Sequence, residues 1–248
     1  MLIDVHAHLD MVSKKDLESV INEATKNKIG KVISCATSFV SNKKNIELAK
    51  TYDSVDAGIG LYPLDAQELS ENELEHAFEF FETKVKTAIA IGEVGLDYKY
   101  AKSEAEKEKQ QDVFRQFILF AKRFDKPLIV HSRYAQRDVL RLLEEEKANK
   151  VLLHSFVDSQ KLMNRAFDND FFVSVGLNVL ENELVQERVK NFPLNSLLLE
   201  TDSPIRFSGE RAMPKDILRV ANKVAELKGI TLEQVEEQLE KNFKTLFG

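Results

Sequence analysis

The chain has one cysteine, no tryptophan, and few glycines and prolines for 248 residues: nine and five. A single cysteine excludes an internal disulfide and points to a reducing, cytoplasmic setting. Its context, Val32-Ile33-Ser34-Cys35-Ala36, is that of a buried strand thiol rather than a nucleophile. No apolar run approaches the roughly 20 residues that a spanning helix needs. No basic stretch precedes an apolar one at the N-terminus, so neither a membrane span nor a secretory signal is expected. Positive charge is also short: 35 Lys and Arg face 41 Asp and Glu, a net charge of −6. That excludes a general electrostatic grip on nucleic acid, which needs clustered cations. It leaves room for an enzyme that holds one phosphate through metal ions.

Hydrophobic residues make up 43% of the chain, enough for a sizeable core. Short apolar runs alternate with amphipathic stretches from end to end. Expected strands are 2–5, 31–36, 55–61, 88–91, 127–130, 151–153, 171–175 and 196–199. Helices are expected between them, at 14–26, 42–51, 135–146, 160–167 and 182–191, with others capped by Ser70/Glu73 and Ser103/Glu106. Two helices close the chain, the second opening at Thr231/Gln234. Eight strand–helix units in about 250 residues predict a single (β/α)8 TIM barrel with C-terminal helices, one domain over residues 1–248. The continuously apolar strands 151–153 and 197–199 fit parallel strands buried on both faces. A doubly wound open sheet is the rival, but it calls for a glycine-rich first turn, and the turn here is His6-Ala7-His8-Leu9-Asp10.

What stands at the strand ends is informative. His6 and His8 are spaced i, i+2, so they can share a face. As a lone pair they read more readily as structural or solvated residues. The fourth strand carries Ile91-Gly92-Glu93-Val94-Gly95-Leu96-Asp97, the fifth ends at His131, the sixth at His154, and the eighth leads into Glu200-Thr201-Asp202-Ser203-Pro204. A barrel gathers these ends at its C-terminal mouth, where such folds place their chemistry. His6, His8, Glu93, His131, His154 and Asp202 then form one polar cluster that is costly to desolvate without a cation. Six ligands exceed one open tetrahedral zinc site and suit two metals sharing a carboxylate. His76, in a polar helix, is expected to be a solvated surface residue.

The ordered set resembles the TatD family of metal-dependent deoxyribonucleases, among the amidohydrolase-like metal barrels. The matching stretches are Asp4–Asp10, Ile91–Asp97, His131-Ser132-Arg133, His154-Ser155-Phe156, Glu200–Pro204 and the C-terminal Asn242-Phe243…Leu246-Phe247-Gly248. The resemblance implies His6, His8 and Asp202 on one metal, His131 and His154 on a second, and Glu93 bridging. It implies two divalent ions per chain (Zn, Mg or Mn), a metal-activated water, and Asp202 as its proton acceptor. The implied substrate is DNA or another phosphoester, with no membrane and no obligate protein partner. Arg133, at the mouth, either forks onto a phosphate or pairs with a loop carboxylate. Asp97 is expected to fix the loop or a ligand histidine, Asp10 to brace the first loop, and Arg206 to be a weaker substrate candidate. Where many members carry Gly-x-His-Pro after the third strand, this chain has Gly60-Leu61-Tyr62-Pro63. The segment Ser174 to Asn182 also departs from the family's usual loop.

Two other readings compete. An amidohydrolase-type enzyme on a small amide, lactone or phosphoester often uses a carbamylated lysine as the bridge, where this chain presents Glu93. A non-catalytic metal scaffold would lack the bridging or base carboxylate, and both Glu93 and Asp202 are present.

Overall fold

In the computed structural model, which describes Met1–Gly248, eight strands form one sheet in chain order, each parallel to the next. They are β1 Leu2–Ala7, β2 Ile29–Cys35, β3 Val55–Ile59, β4 Ala90–Asp97, β5 Leu128–Arg133, β6 Val151–Leu153, β7 Phe172–Val175 and β8 Leu197–Leu199. The curled sheet closes on itself just beyond β8. There Asp202 N donates to His6 O (3.0 Å) and His8 N to Ser203 O (2.6 Å). Thr201 N also donates to the buried Asp4 carboxylate at 2.9 Å. The (β/α)8 barrel expected from the alternating pattern is the fold.

The helices that wrap it are α1 Lys14–Lys26, α2 Phe39–Thr51, α3 Pro63–Glu68, α4 Glu71–Lys84, α5 Glu104–Arg123, α6 Gln136–Glu145, α7 Gln160–Asp168, α8 Glu183–Asn191, α9 Ile217–Lys228 and α10 Leu232–Phe247. Most turn an apolar stripe inward. In α5, for example, Val113, Phe114, Phe117, Ile118 and Ala121 are buried. Helix α2 instead buries Ser41, Asn42 and Asn45 beside Ile46. The capping boxes expected at Ser70/Glu73 and Thr231/Gln234 are formed. At α5, Ser103 accepts from Glu106 N (3.2 Å), but the Glu106 carboxylate turns to Lys102 N instead. No helix is long and apolar enough to cross a membrane.

Several boundaries differ from the sequence pattern. Helix α2 starts three residues earlier than expected, because Ser38 and Ser41 make a capping box without a Glu or Gln. Strand β4 runs on through Glu93 to Asp97, past the end of its apolar run, because pairing with β5 continues from Val94↔Val130 to Asp97↔Arg133. Gly95 permits that pairing: its φ is +138°, and a Cβ there would sit 2.1 Å from His131 O. Pro63 opens the short α3, where proline's fixed φ suits a first helical position. A small antiparallel hairpin, β9 Arg206–Phe207 and β10 Glu210–Arg211, follows β8.

Two apolar layers hold the barrel. The larger lies between sheet and helices and takes Val130, Leu153, Val173 and Leu199 from the strands. The smaller includes Ile33, Ile129, Leu152, Phe172 and Leu198, with Leu246 of α10 buried against it and Phe243 and Phe247 packed alongside. Asn242, buried on the same helix, donates to Leu194 O (2.8 Å) and Leu197 O (2.7 Å), which fixes α10 beside β8. The C-terminal motif is therefore structural.

Candidate metal centre

The inner layer changes character two residues further along each strand. Side chains two apart share a face, so Ile129 is followed by His131, Leu152 by His154, Phe172 by Ser174 and Leu198 by Glu200. Apolar filling gives way to imidazoles and carboxylates at the C-terminal ends. At two of these exits the next residue takes a left-handed backbone, Ser155 (φ 47°) after His154 and Tyr134 (φ 57°) after Arg133. Asp202 itself has φ 55°. For residues other than glycine such angles are strained and are sustained by their surroundings.

The six expected ligands are brought together. His6 Nε2 and His8 Nε2 are 3.2 Å apart. Glu93 Oε2 lies 3.7 Å from the first and 3.6 Å from the second. Asp202 Oδ1 lies 3.7 Å from His6 Nε2 and 3.3 Å from His8 Nε2. The other Glu93 oxygen, Oε1, is 2.8 Å from His131 Nδ1 and 3.9 Å from His154 Nε2. Glu93 thus turns one oxygen to each pair of imidazoles. The His154 ring also stacks on His6, with centroids 3.7 Å apart, and comes within reach of Asp202.

Three of the four imidazoles have their far nitrogen held from outside the cluster. His8 Nδ1 meets Cys35 O at 2.9 Å. His154 Nδ1 meets the buried Glu200 carboxylate at 2.8 Å. His131 Nε2 lies 3.3 Å from Asp97 Oδ2. Such outer contacts fix the tautomer and aim the free nitrogen inward. Asp97 takes the bracing position expected of it. Asp10 sits in the turn after β1 with Oδ1 buried and unpaired. Glu200 is a site residue that its motif contained and the ligand reasoning passed over; its signal was the period-two step from Leu198.

The donor set suits divalent ions. Donors about 2.1 Å from one ion in a tetrahedron stand roughly 3.4 Å apart, and the edges that His6 and His8 make with each other, with Glu93 and with Asp202 run from 3.2 to 3.7 Å. His131 Nδ1 stands 2.8 Å from Glu93 Oε1, a pairing that helps keep that carboxylate ionised. Electrostatics agree. Burial, with His154 alongside, keeps His6 well below the usual imidazole range and hence neutral. Burial opposes the charged forms of His8 and His154, but facing carboxylates prevail and raise them to about 9 and about 10. Burial likewise opposes ionised Glu93, yet the surrounding imidazoles hold it well below the carboxylate range.

Above the cluster opens a cavity of about 590 Å³ whose walls include Tyr62, Arg133, Asp202 and Met11. Tyr62 donates its hydroxyl to Asp97 and accepts from Arg133 Nη2 at 2.9 Å. Arg133 also donates Nε (3.0 Å) and Nη2 (2.7 Å) to Asp97, and its guanidinium lies 4.9 Å over the Tyr100 ring. Of the two readings of Arg133, the carboxylate pairing is formed, with Asp97 at the end of β4 rather than in a loop. Nη1 remains unengaged on the cavity side chain. Arg206 is exposed on β9, its Nη1 bonded to Gly209 O, and His76 is exposed on α4. Cys35 is a buried strand thiol.

The family described as TatD related DNase matches residues 3–248. The chain belongs to the TatD-related DNase family. Among relatives, the uncharacterized metal-dependent hydrolase YabD of Bacillus subtilis is 34% identical, over 100% of this chain and 99% of its own. The human deoxyribonuclease TATDN3 is 33% identical, over 99% of this chain and 94% of its own. The crystal structure of the TatD homologue YJJV from Escherichia coli superposes with a TM-score of 0.91 at 28% identity, covering 99% of this chain and 97% of that one. This TatD-family member is a metal-dependent hydrolase, and the cluster described above is the group of its residues suited to hold the metal.

Proposed function

We propose that the enzyme cleaves DNA phosphodiester bonds with two divalent ions, Zn²⁺, Mn²⁺ or Mg²⁺, in a catalytic domain spanning residues 1–248. One observation carries the binuclear reading: Glu93 presents one oxygen to His6 and His8 and the other to His131 and His154. His6, His8 and Asp202 would hold one ion, His131 and His154 the other, with Glu93 shared. Bound there, the ions lower the pKa of water and neutralise charge developing on phosphoryl oxygens.

The chain's own groups do the rest. Asp202 is the more exposed carboxylate of the set, with its side chain 36% exposed against 4% for Glu93. It would orient the attacking water and take its proton. His8 Nε2, 3.3 Å from Asp202 Oδ1, would share an ion with that carboxylate. Arg133, clamped by Asp97 and Tyr62, offers its unengaged Nη1 to a non-bridging phosphate oxygen. Attack at phosphorus forms one P–O bond and breaks the opposite one, leaving phosphate on one fragment and a hydroxyl on the other. With its one thiol buried in β2, a cytoplasmic setting fits.

The test is cleavage of a labelled single-stranded oligonucleotide by stripped protein titrated with Mg²⁺, Mn²⁺ and Zn²⁺, beside Asp202→Asn. Metal-dependent cleavage that falls about 10²–10⁴-fold in a fully metallated variant is expected. Tight metal binding without cleavage of any strand would move the assignment to a small amide, lactone or phosphoester.

A further inference from the structure

Asp202 is the ligand of the cluster whose own backbone is strained. Its φ of 55° is left-handed in a residue that is not glycine, and such a conformation persists only where neighbours hold it. Asp202 N donates to His6 O at 3.0 Å, and Asp202 O accepts from Ile205 N at 2.9 Å. On one flank, Ser203 O accepts from His8 N at 2.6 Å. On the other flank the holder is a side chain, that of Asp4 in β1.

Asp4 is completely buried, and Thr201 nearly so. The Asp4 carboxylate accepts from Thr201 N at 2.9 Å, from Thr201 Oγ1, and from His6 N at 3.3 Å. Its partners are backbone and hydroxyl donors rather than a cation, and burying a carboxylate in this way is costly. The seam between β1 and β8 already has two backbone hydrogen bonds, from Asp202 N to His6 O and from His8 N to Ser203 O. Closure alone therefore does not call for a buried charge. The carboxylate instead grips Thr201 at two atoms. Thr201 Oγ1 extends that grip, because it also accepts from Ser203 N at 3.2 Å. One hydroxyl thus links the two residues that flank Asp202.

We propose that Asp4 and Thr201 are positioning residues for Asp202: their clamp spans it and fixes its carboxylate where it would share an ion with His6 and His8. Asp202 Oδ1 stands 3.7 and 3.3 Å from the two imidazole nitrogens. A displacement of about 1 Å would spoil that donor geometry, and errors of that size can cost about 10²-fold in rate. The inference rests on the ligand and base roles proposed for Asp202 above; the identity of the substrate does not enter it.

The experiment titrates stripped full-length protein with Zn²⁺ by calorimetry, and measures kcat and KM on the single-stranded oligonucleotide at saturating metal. It compares wild type with Thr201→Val, which keeps the shape and deletes the hydroxyl, and Thr201→Ser, which keeps the hydroxyl. Thr201→Val should still bind two ions, one of them about 10–100-fold more weakly. Its kcat should fall by up to about 100-fold with KM nearly constant. Thr201→Ser should restore both toward wild type. Asp4→Asn, which sets an N–H against Thr201 Oγ1, should show the same pattern at about 2- to 12-fold, and it decides the matter if the valine variant does not fold. Phe81→Ala, destabilised in the α4–α5 layer, should leave both affinities and kcat unchanged. A folded Thr201→Val with wild-type affinities and kcat overturns the clamp. So does an equal loss at both ions, or a serine variant as impaired as the valine one. Should wild type cleave no oligonucleotide, the nuclease reading falls, and the metal titrations still decide the clamp.

Discussion

Glu200 Oε2 stands 2.8 Å from His154 Nδ1, and Ser174 donates to the same carboxylate oxygen. This buried contact leaves Nε2 as the imidazole nitrogen that faces Glu93. Glu200→Ala should therefore loosen His154 without removing a ligand. Losing such an outer partner typically costs about 10–100-fold in metal affinity or activity. Isothermal titration of stripped protein, with turnover measured on the same samples, reads the effect. Wild-type affinity together with wild-type turnover would refute the orienting role.

His131→Ala removes a ligand from one side of Glu93 only. Elemental analysis after saturation should fall from two ions per chain toward one, with His6 and His8 retaining theirs. An unchanged stoichiometry would count against the binuclear site.

Metal removal should act on stability as well as on turnover. An ion that binds only the folded chain at a free concentration of about 100 times its Kd adds about 2.7 kcal/mol. A chelator should therefore lower the melting temperature, and re-addition should restore it. Uptake should also release protons, because imidazole ligands bind metal in their neutral form. A weakly buffered titration with an indicator dye detects this, and a melting temperature indifferent to chelator would argue against the cluster as a metal centre.

Tyr62→Phe deletes the hydroxyl that donates to Asp97 and accepts from Arg133. The guanidinium then keeps Asp97 but loses one anchor. A single hydrogen bond of about 0.5–1.5 kcal/mol corresponds to roughly a 2- to 12-fold change, expected in KM with kcat nearly constant. A fall in kcat at constant KM would place Tyr62 at the reacting atoms instead.

Phe81 is completely buried, with the rings of Phe117, Phe78 and Phe120 centred 5.6, 5.9 and 6.3 Å away. Phe81→Ala should cost about 3–5 kcal/mol through lost burial and the cavity left behind. Urea unfolding followed by circular dichroism measures it. A cost below about 1 kcal/mol would mean that the α4–α5 aromatic layer collapses into the gap.

The sequence carried much of this arrangement because local rules agreed with the global fold. The eight strand–helix units were legible from hydrophobic period. Two capping boxes were visible as Ser70/Glu73 and Thr231/Gln234 and are formed. The cap of α2 was missed because its partner is Ser41, which carries no helix-start signature by type. The end of β4 was missed because Glu93 and two glycines interrupt its apolar run, while pairing with β5 is a long-range property. Arg133 could not be assigned between two partners, since Asp97 and Tyr62 are 36 and 71 residues away along the chain.

By itself, then, the sequence determined the fold class, the residue types at the strand ends and the single buried thiol. These follow from periodicity and composition, which act over a few residues. Tertiary structure alone decided that the two Glu93 oxygens divide between two imidazole pairs and that Glu200 and Asp97 stand behind His154 and His131. Those relations depend on the register and closure of the barrel, where a shift of one residue would turn every ligand to the opposite face of its strand.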